Sequence, residues 1–248
     1  MPTIVAANTK GGSGKSTSCL VLGTALARKG ATVRIIDADP QGTLDSWSQG
    51  KSKYRDIVVK PTPGEDLTDL IDRLAAEYQF VIIDVQGSAN QELAAAMSRA
   101  DLVIIPMRGK TADAEVATNA INLLRKQEKL FKRKINHGVL FMATSAGVKT
   151  REEKDIRANV EAGNIPCFQI QLNERTAFSH MFRFKLAVDE LESPETSGLT
   201  AALENADAFR REVTHLLRQS RENEVPQPGQ EEALVAFEGP QAQEEAVA

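Results

Sequence analysis

A glycine-rich run at residues 8–17, Asn-Thr-Lys-Gly-Gly-Ser-Gly-Lys-Ser-Thr, constrains the fold of this chain more than any other feature. It separates an apolar segment at residues 3–7, which has the composition of a buried strand, from a helical pattern over residues 16–28. Glycines let backbone N–H groups turn inward on an anion, and the positive end of a helix dipole favours the same anion. The run therefore predicts a phosphate-binding loop between a strand and a helix.

The loop carries two lysines, and its spacing departs from the usual phosphate-loop pattern G-x-x-x-x-G-K-[ST]. Thr9 stands where that pattern has its first glycine, and the pattern that fits is K-G-G-x-G-K-[ST] over residues 10–16. In such a loop Lys15 would contact the β- and γ-phosphates of a nucleotide, and Ser16 would hold Mg²⁺. The alternative is a glycine-rich turn that binds nothing, but chance should give this heptapeptide in fewer than about one in ten thousand chains of this length.

The two-lysine loop resembles the deviant Walker A loop of the ParA/MinD family of P-loop ATPases. Three later segments match the same family: residues 37–42 are similar to its D-x-D-P-Q-G, residues 80–84 to its Walker B strand, and residues 102–106 followed by Asp113 to its P-x-x-x-x-x-x-D turn. The apolar runs are strand-length and unalternating, with helical patterns between them. They predict a single α/β P-loop domain, with a mostly parallel twisted sheet and helices on both faces.

The resemblance implies ATP and Mg²⁺ as ligands and assigns a role to each site residue. Lys10 would reach across a dimer interface to the partner's nucleotide, and Asp39 would orient or activate the attacking water, which makes these two the candidate catalytic residues. Asp84 would order the Mg²⁺ shell together with Ser16, and Asp37 would support both from its strand end. The expected nucleotide-binding residues are Lys10, Gly11, Gly12, Ser13, Gly14, Lys15, Ser16 and Thr17.

One segment departs from the family pattern. Most ParA proteins carry D-x-P-P or D-x-P-A after the Walker B strand, whereas residues 84–87 are Asp-Val-Gln-Gly. We therefore expect the loop that senses the γ-phosphate to behave differently in this chain.

Composition and charge divide the chain into a body and an acidic segment. With 248 residues, 42% of them apolar, the chain is long enough for one sizeable core. Residues 222–248 hold seven of the 34 acidic residues and no Lys or Arg, so residues 1–221 carry 30 basic against 27 acidic side chains. We expect an ATPase domain at 1–221 and a disordered segment at 222–248. The short apolar stretch at 233–237 is either a partner motif or part of a plain solubilising tail.

Basic side chains point to nucleic acid as a partner. A helical pattern over residues 197–222 places arginines outside its apolar positions. Such a face is often merely solvated, but ParA proteins bind DNA without sequence preference, so the resemblance favours double-stranded DNA here. The expected DNA-binding residues are Arg183, Lys185, Arg210, Arg211 and Arg218. No leader or membrane-length apolar run occurs, so we expect a cytoplasmic, nucleoid-associated protein that contacts no membrane.

The resemblance is strongest to the short stand-alone partition ATPases of plasmids, the ParF-like ParA proteins, and extends to transfer-associated homologues. It implies a homodimer formed with ATP, slow ATP hydrolysis stimulated by a ParB-like centromere-binding or cargo adaptor protein, and a plasmid as cargo. The alternatives are a scaffold for a relaxosome or conjugative transfer complex, a positioner of protein cargo, and a small-molecule enzyme on the same fold. The iron-protein branch of the superfamily needs paired cysteines after the Walker B strand, and this chain lacks them.

Overall fold

A parallel sheet forms the centre of the chain, of which the computed structural model describes residues 1–86 and 91–224. Its strands lie in the order β3-β2-β4-β1-β5-β6-β7, and every pair is parallel. The central strands are apolar without alternation because helices bury both of their faces. The strands are β1 (Thr3–Ala6), β2 (Val33–Ala38), β3 (Val58–Val59), β4 (Phe80–Val85), β5 (Leu102–Arg108), β6 (His137–Thr144) and β7 (Leu172–Asn173).

Helices cover the sheet on both sides and divide the core in two. The described helices are α1 (Lys15–Arg28), α2 (Thr43–Ser48), α3 (Leu67–Glu77), α4 (Gln91–Arg99), α5 (Thr111–Phe131), α6 (Arg151–Ala162), α7 (Thr176–Phe184) and α8 (Leu199–Glu224). Side chains of β1 alternate between the layers: Ile4 and Ala6 pack with α1, α2, α7 and α8, whereas Val5 packs with α3, α4, α5 and α6. The predicted fold class is confirmed.

The register brings the functional segments to one edge. Ala6 is aligned with Asp84 and Ile104, and Asp37 with Asp84, so the carboxyl ends of β1, β2, β4 and β5 meet. Ligands of open α/β sheets bind at this edge. Among the described residues, no helix is both long and apolar enough to cross a bilayer.

The C-terminal helix ends later than the sequence predicts. α8 runs to Glu224, two residues beyond the helical pattern predicted over residues 197–222. The rest of that segment, residues 225–248, lies outside the described residues, and so does the expected apolar motif at 233–237. Residues 87–90, which follow the Walker B strand, also lie outside them.

Candidate functional site

The glycine-rich loop joins β1 to α1 and leaves a cradle open above the helix N-terminus. Gly12 and Gly14 have φ of 72° and 102°, in the left-handed region that favours glycine. A Cβ at Gly14 would lie 2.8 Å from Cε of Met142, whereas one at Gly11 or Gly12 would meet no atom within 4 Å. The loop therefore keeps a tight turn at its end and free space at its centre, where an anion would fit.

Asn8 fastens the start of the loop to the neighbouring strand. Its Nδ2 donates to the carbonyl of Pro106 at 2.6 Å, and its Oδ1 accepts the N–H of Lys10 at 3.0 Å. The side chain is buried, so both bonds are shielded from water. Asn8 thus fixes the backbone at the first lysine relative to β5.

The two lysines of the loop have opposite surroundings. Lys15 begins α1, is only 5% exposed, and donates from Nζ to the carbonyl of Lys10 at 3.1 Å. No described carboxylate lies within ion-pair distance of it. The Lys10 side chain is 44% exposed, and its Nζ lies 2.6 Å from Oδ1 of Asp113 in the first turn of α5. Lys15 is therefore a fixed charge at the cradle, whereas Lys10 is held outside it by an ion pair.

Two of the three predicted carboxylates are hydrogen-bonded to the backbone. Asp37 is buried and accepts the N–H of Asp45 at 2.7 Å and that of Asp39 at 3.3 Å. Burial raises the pKa of Asp37, and these amides oppose the rise. Asp39 is half-buried and accepts the N–H of Gln41 at 2.9 Å. The turn after β2 is thus organised around its own acids.

Asp84 is different, because it is fully buried and neither of its oxygens accepts a hydrogen bond from the described residues. Burial raises its pKa to about 7, and the nearby Ser16 hydroxyl opposes the rise without making a hydrogen bond of normal geometry. Asp37 raises the pKa further, and Lys15 lowers it. A buried carboxylate without partners is costly unless a cation or a proton compensates it.

This donor set fits Mg²⁺ bound together with phosphate. No cluster of three or more His, Cys, Asp or Glu side chains suited to a metal occurs in the described part of the chain. Mg²⁺, however, usually takes one or two carboxylates and completes its shell with water and phosphate oxygens. Asp84 and the Ser16 hydroxyl fit that role directly. Asp37 fits a supporting role, because both of its oxygens already accept backbone N–H groups.

A cleft of about 560 Å³ opens over the loop. Two predicted nucleotide-binding residues, Lys10 and Ser13, do not line it: Lys10 turns to Asp113, and Ser13 is buried with no hydrogen-bond partner for its hydroxyl among the described residues. A groove of about 600 Å³ between α5 and α6 is larger, but it contains neither the loop nor its acids. The cleft is lined by Gly11, Gly12, Gly14, Lys15, Ser16, Thr17, Asp39, Gln41, Thr43, Gln86, Arg108 and Phe182.

Sequence reasoning missed five of these lining residues. Arg108 ends β5 at the same sheet edge, so the rule that flagged the acids of β2 and β4 also applies to it. Gln41, Thr43 and Gln86 lie within a few positions of predicted acids and were identifiable in the same way. Phe182 comes from α7, and no local signal connects it with the loop.

The predicted DNA-binding residues do not form one patch in the monomer. Arg183 and Lys185 lie at the end of α7, which is tied to the chain just before α8 by a 2.8 Å contact between His180 and Thr196. Arg218 lies near the other end of α8, roughly 30 Å along the helix. The five residues are therefore spread along the length of α8 and do not gather at one place.

The two arginines between these ends share a carboxylate. Asp207 pairs with Arg210 at 3.0 Å and Arg211 at 3.2 Å, and also with Arg28 and Lys29 of the α1 end. The Arg210 side chain is only 18% exposed, so its charge is largely used within the fold. Arg211 and Arg218 remain exposed.

Comparison with known proteins identifies relatives of the whole domain. A family model described as the CobQ/CobB/MinD/ParA nucleotide binding domain matches residues 4–187. Protein ParA of Rhizobium radiobacter is 34% identical over 223 residues, which cover 88% of this chain and 100% of that protein. Maintenance of carboxysome distribution protein A of Halothiobacillus neapolitanus is 31% identical over 131 residues, or 51% of this chain and 60% of that protein.

A solved structure shows the same fold. The structure of a putative plasmid partition protein from Borrelia burgdorferi bound to AMPPNP superposes with a TM-score of 0.63 at 17% identity. The match covers 86% of this chain and 98% of that one. The family model and the full-length ParA relative lead to one conclusion: the chain belongs to the CobQ/CobB/MinD/ParA nucleotide-binding family.

Proposed function

We propose that this chain is an ATP-dependent dimerising ATPase that binds DNA without sequence preference and partitions or positions a plasmid or other DNA cargo. The observation that carries the proposal is a phosphate loop with two lysines in opposite surroundings, beside a buried carboxylate that lacks a partner among the described residues. The full-length similarity to a ParA protein supports the same reading.

ATP with Mg²⁺ is the ligand that matches this edge of the sheet. The phosphates would fill the free space at Gly11 and Gly12, with Lys15 as the fixed countercharge. When bound, Mg²⁺ neutralises charge on the phosphates and would be held by Ser16 and Asp84. The related Borrelia protein was solved with a nucleotide analogue, which supports this assignment.

Hydrolysis would depend on positioning a water at the end of β2. Phosphoryl transfer needs charge stabilisation and an oriented nucleophile more than covalent help. Asp39 lines the cleft, and its Oδ1 is held by the Gln41 N–H, so the carboxylate is preoriented. We assign it the role of orienting the attacking water. Turnover would be slow, and a ParB-like or cargo adaptor partner would accelerate it.

Lys10 would supply the contact that joins two ATP-bound subunits. Its pair with Asp113 is asymmetric, because the Lys10 side chain is 44% exposed whereas that of Asp113 is only 6% exposed. Asp113 offers Lys10 one carboxylate oxygen, whereas a triphosphate offers several charged oxygens, so a partner's phosphates would compete with Asp113 for the exposed end of Lys10. Lys10 therefore serves as a contact made in trans, while Lys15 serves its own nucleotide.

DNA binding would use the exposed cations of α7 and α8. Arg183, Arg211 and Arg218 are exposed and Lys185 is half-buried, while Arg210 mainly supports Asp207. Contacts of Lys and Arg with phosphates carry no sequence information, which suits the nucleoid as a matrix in the cytoplasm. A relaxosome scaffold or a positioner of protein cargo is the second candidate, and the similarity to a carboxysome distribution protein over half of this chain favours the latter.

The decisive test separates the two lysines. Lys15→Ala should lose ATP binding by at least about a hundredfold, because it removes a charge-assisted contact from a buried site. Lys10→Ala should keep ATP affinity within about threefold but lose the ATP-dependent dimer, because it removes the trans contact and the pair with Asp113 while Lys15 and the cradle stay in place. Calorimetry measures the first effect, and light scattering with ATP and Mg²⁺ measures the second.

Lys51→Ala, an exposed lysine after α2 that does not line the cleft, is the matched control and should change neither property. Near wild-type ATP affinity in Lys15→Ala would refute the loop assignment. An undiminished ATP-dependent dimer in Lys10→Ala would refute the trans role.

A further inference from the structure

The C-terminal end of α5 exposes large apolar side chains among lysines. Leu130 is 71% exposed and Phe131 is 47% exposed, although large apolar side chains are usually covered in a folded domain. Exposed basic residues surround them in sequence. We call this set the α5 tip: Arg125, Lys126, Lys129, Leu130, Phe131, Lys132 and Lys134.

The charges of the α5 tip are mostly unneutralised. Among the described residues, no carboxylate lies within 4.0 Å of Arg125, Lys129 or Lys132, and Lys134 is 3.7 Å from Glu128. Arg133 is excluded from the set because its guanidinium donates to the carbonyls of Ser98 and Ala100. Lysines at a helix C-terminus also stabilise the helix dipole, by about 0.3–1 kcal/mol each. That effect explains the lysines but not the exposed Leu130 and Phe131.

The last described helix ends beside the α5 tip. A cleft of about 520 Å³ is lined by Leu217 and Arg221 of α8 on one side and by Arg125 and Lys134 of the α5 tip on the other. Asn136 Nδ2 donates to Ser220 Oγ at 2.8 Å across the same junction. The chain therefore continues beyond Glu224 from a point next to the α5 tip.

The sequence that follows is complementary to this surface. Residues 231–238 are Glu-Glu-Ala-Leu-Val-Ala-Phe-Glu, an apolar core with acids on both sides. The α5 tip is an apolar pair with bases on both sides. The seven residues from Glu224 to Glu231 can span up to about 23 Å, and they start close to Arg221, which lines the same cleft as Arg125 and Lys134.

We propose that residues 231–238 dock on the α5 tip of their own chain. Leu234 and Phe237 pack on Leu130 and Phe131, and the flanking glutamates face the lysines. DNA is the alternative occupant: its phosphates would complement the lysines of this surface, but they would leave Leu130 and Phe131 uncovered. Because residues 231–238 are tethered to the same chain, their effective concentration at the α5 tip is in the millimolar range, and a separate partner would have to compete against it.

Cysteine cross-linking in the full chain tests the proposal. Cys167→Ser removes the half-buried thiol, and Cys19 is buried. In that background, Lys126→Cys is paired with Ala236→Cys, which leaves Lys129, Lys132 and Lys134 in place. The control pairs Ala236→Cys with Gln79→Cys, because Gln79 lies with Arg218 and Arg221 in a cleft on the other side of the α8 end.

With oxidised glutathione as the two-electron oxidant, we expect the α5-tip pair to form an intramolecular disulfide at least about tenfold faster than the control pair, at monomer mass and independently of protein concentration. Glu231→Lys with Glu232→Lys should remove this advantage, and adding Lys129→Glu with Lys134→Glu should restore it. Equal rates for the two pairs would show tethering without docking and overturn the proposal. A product at dimer mass, or rates insensitive to charge reversal, would overturn it as well.

Discussion

At the scale of single residues, the site holds one buried carboxylate, and the free-energy cost of burying its charge depends on whether a proton or a cation is bound to it. Asp84 is buried without a hydrogen-bond partner among the described residues, and burial raises its pKa to about 7. Either a proton or a cation on these oxygens would therefore compensate the buried charge. Lys10 is the contrasting case, because its positive charge is already paired with the Asp113 carboxylate.

Asp84 should make the nucleotide-free protein less stable as pH rises. Its pKa is about 7 in the folded chain and near 3.8 unfolded, so the folded state binds more protons between these values. The contribution of Asp84 to the free energy of unfolding then falls as pH rises from about 4 to about 7 and is level above. The full effect is of the order of a few kcal/mol. Urea unfolding in EDTA between pH 5 and pH 8 measures it.

Asp84→Asn is the comparison that isolates this residue, because the amide cannot ionise. We expect the variant to be more stable than the wild type at pH 8 and to lose most of that advantage at pH 5. The same pH dependence in both proteins would mean that Asp84 is not the titrating group.

At the scale of elements, α1 places the phosphate loop by packing closely on the sheet. A Cβ at Gly23 would lie 2.5 Å from Cδ1 of Ile35 on β2, and 3.5 Å from Cδ1 of Ile82 on β4. Glycine in a helix interior costs about 1 kcal/mol of stability relative to alanine. The close packing of α1 on β2 that Gly23 allows therefore outweighs its low helix propensity. The distance of α1 from the sheet sets where its N-terminus meets the ligand.

Gly23→Ala should destabilise the chain by about 1–2 kcal/mol, because overpacking of about 1–3 kcal/mol exceeds the gain in helix propensity. Chemical denaturation measures the change. Gly11→Ala is the control, since a Cβ there meets no atom within 4 Å, and it should stay within about 0.5 kcal/mol of the wild type. A Gly23→Ala variant as stable as the wild type would mean that α1 moves freely over the sheet.

At the scale of the whole molecule, the cations are spread over separate surfaces. The α7 end, the middle of α8 and the end of α8 each present a few, and Asp207 neutralises part of the middle group. A DNA surface of this kind would gain affinity from many weak phosphate contacts on two subunits. It would not depend on one deep binding patch.

Arg211→Glu with Arg218→Glu should lower the affinity for non-specific duplex DNA by at least about tenfold at low salt, because phosphate contacts supply nearly all of it. Arg210 is left unchanged, since its replacement would also break the Asp207 pair. For the wild type, each phosphate contact should contribute about 0.9 to the slope of log affinity against log salt. A salt titration on two unrelated duplexes, with ATP and Mg²⁺, measures both.

Arg151→Glu with Lys154→Glu on α6 makes the same change of charge on a different face and should bind DNA like the wild type. A flat salt response, or a strong preference for one duplex, would favour the protein-scaffold function. ATP binding should be equal in all three proteins.

The sequence by itself determined the loop, the central strands and the edge at which they meet, but not the two-residue edge strands β3 and β7. These features are local: glycine spacing sets the loop, and apolar runs separated by helical patterns set a parallel sheet. Because every strand of such a sheet points the same way, acids at strand ends had to gather at one edge. Asp37, Asp39 and Asp84 were therefore predictable as neighbours.

Only the tertiary structure decided how these groups are paired. Lys10 meets Asp113 from a distant helix, Phe182 arrives at the cleft from α7, and Asp207 gathers the end of α1 and the middle of α8. The lack of partners around Asp84 likewise depends on what the whole core leaves beside it. Contacts between residues far apart in sequence follow from how the helices pack on the sheet, and a local sequence pattern does not specify that packing.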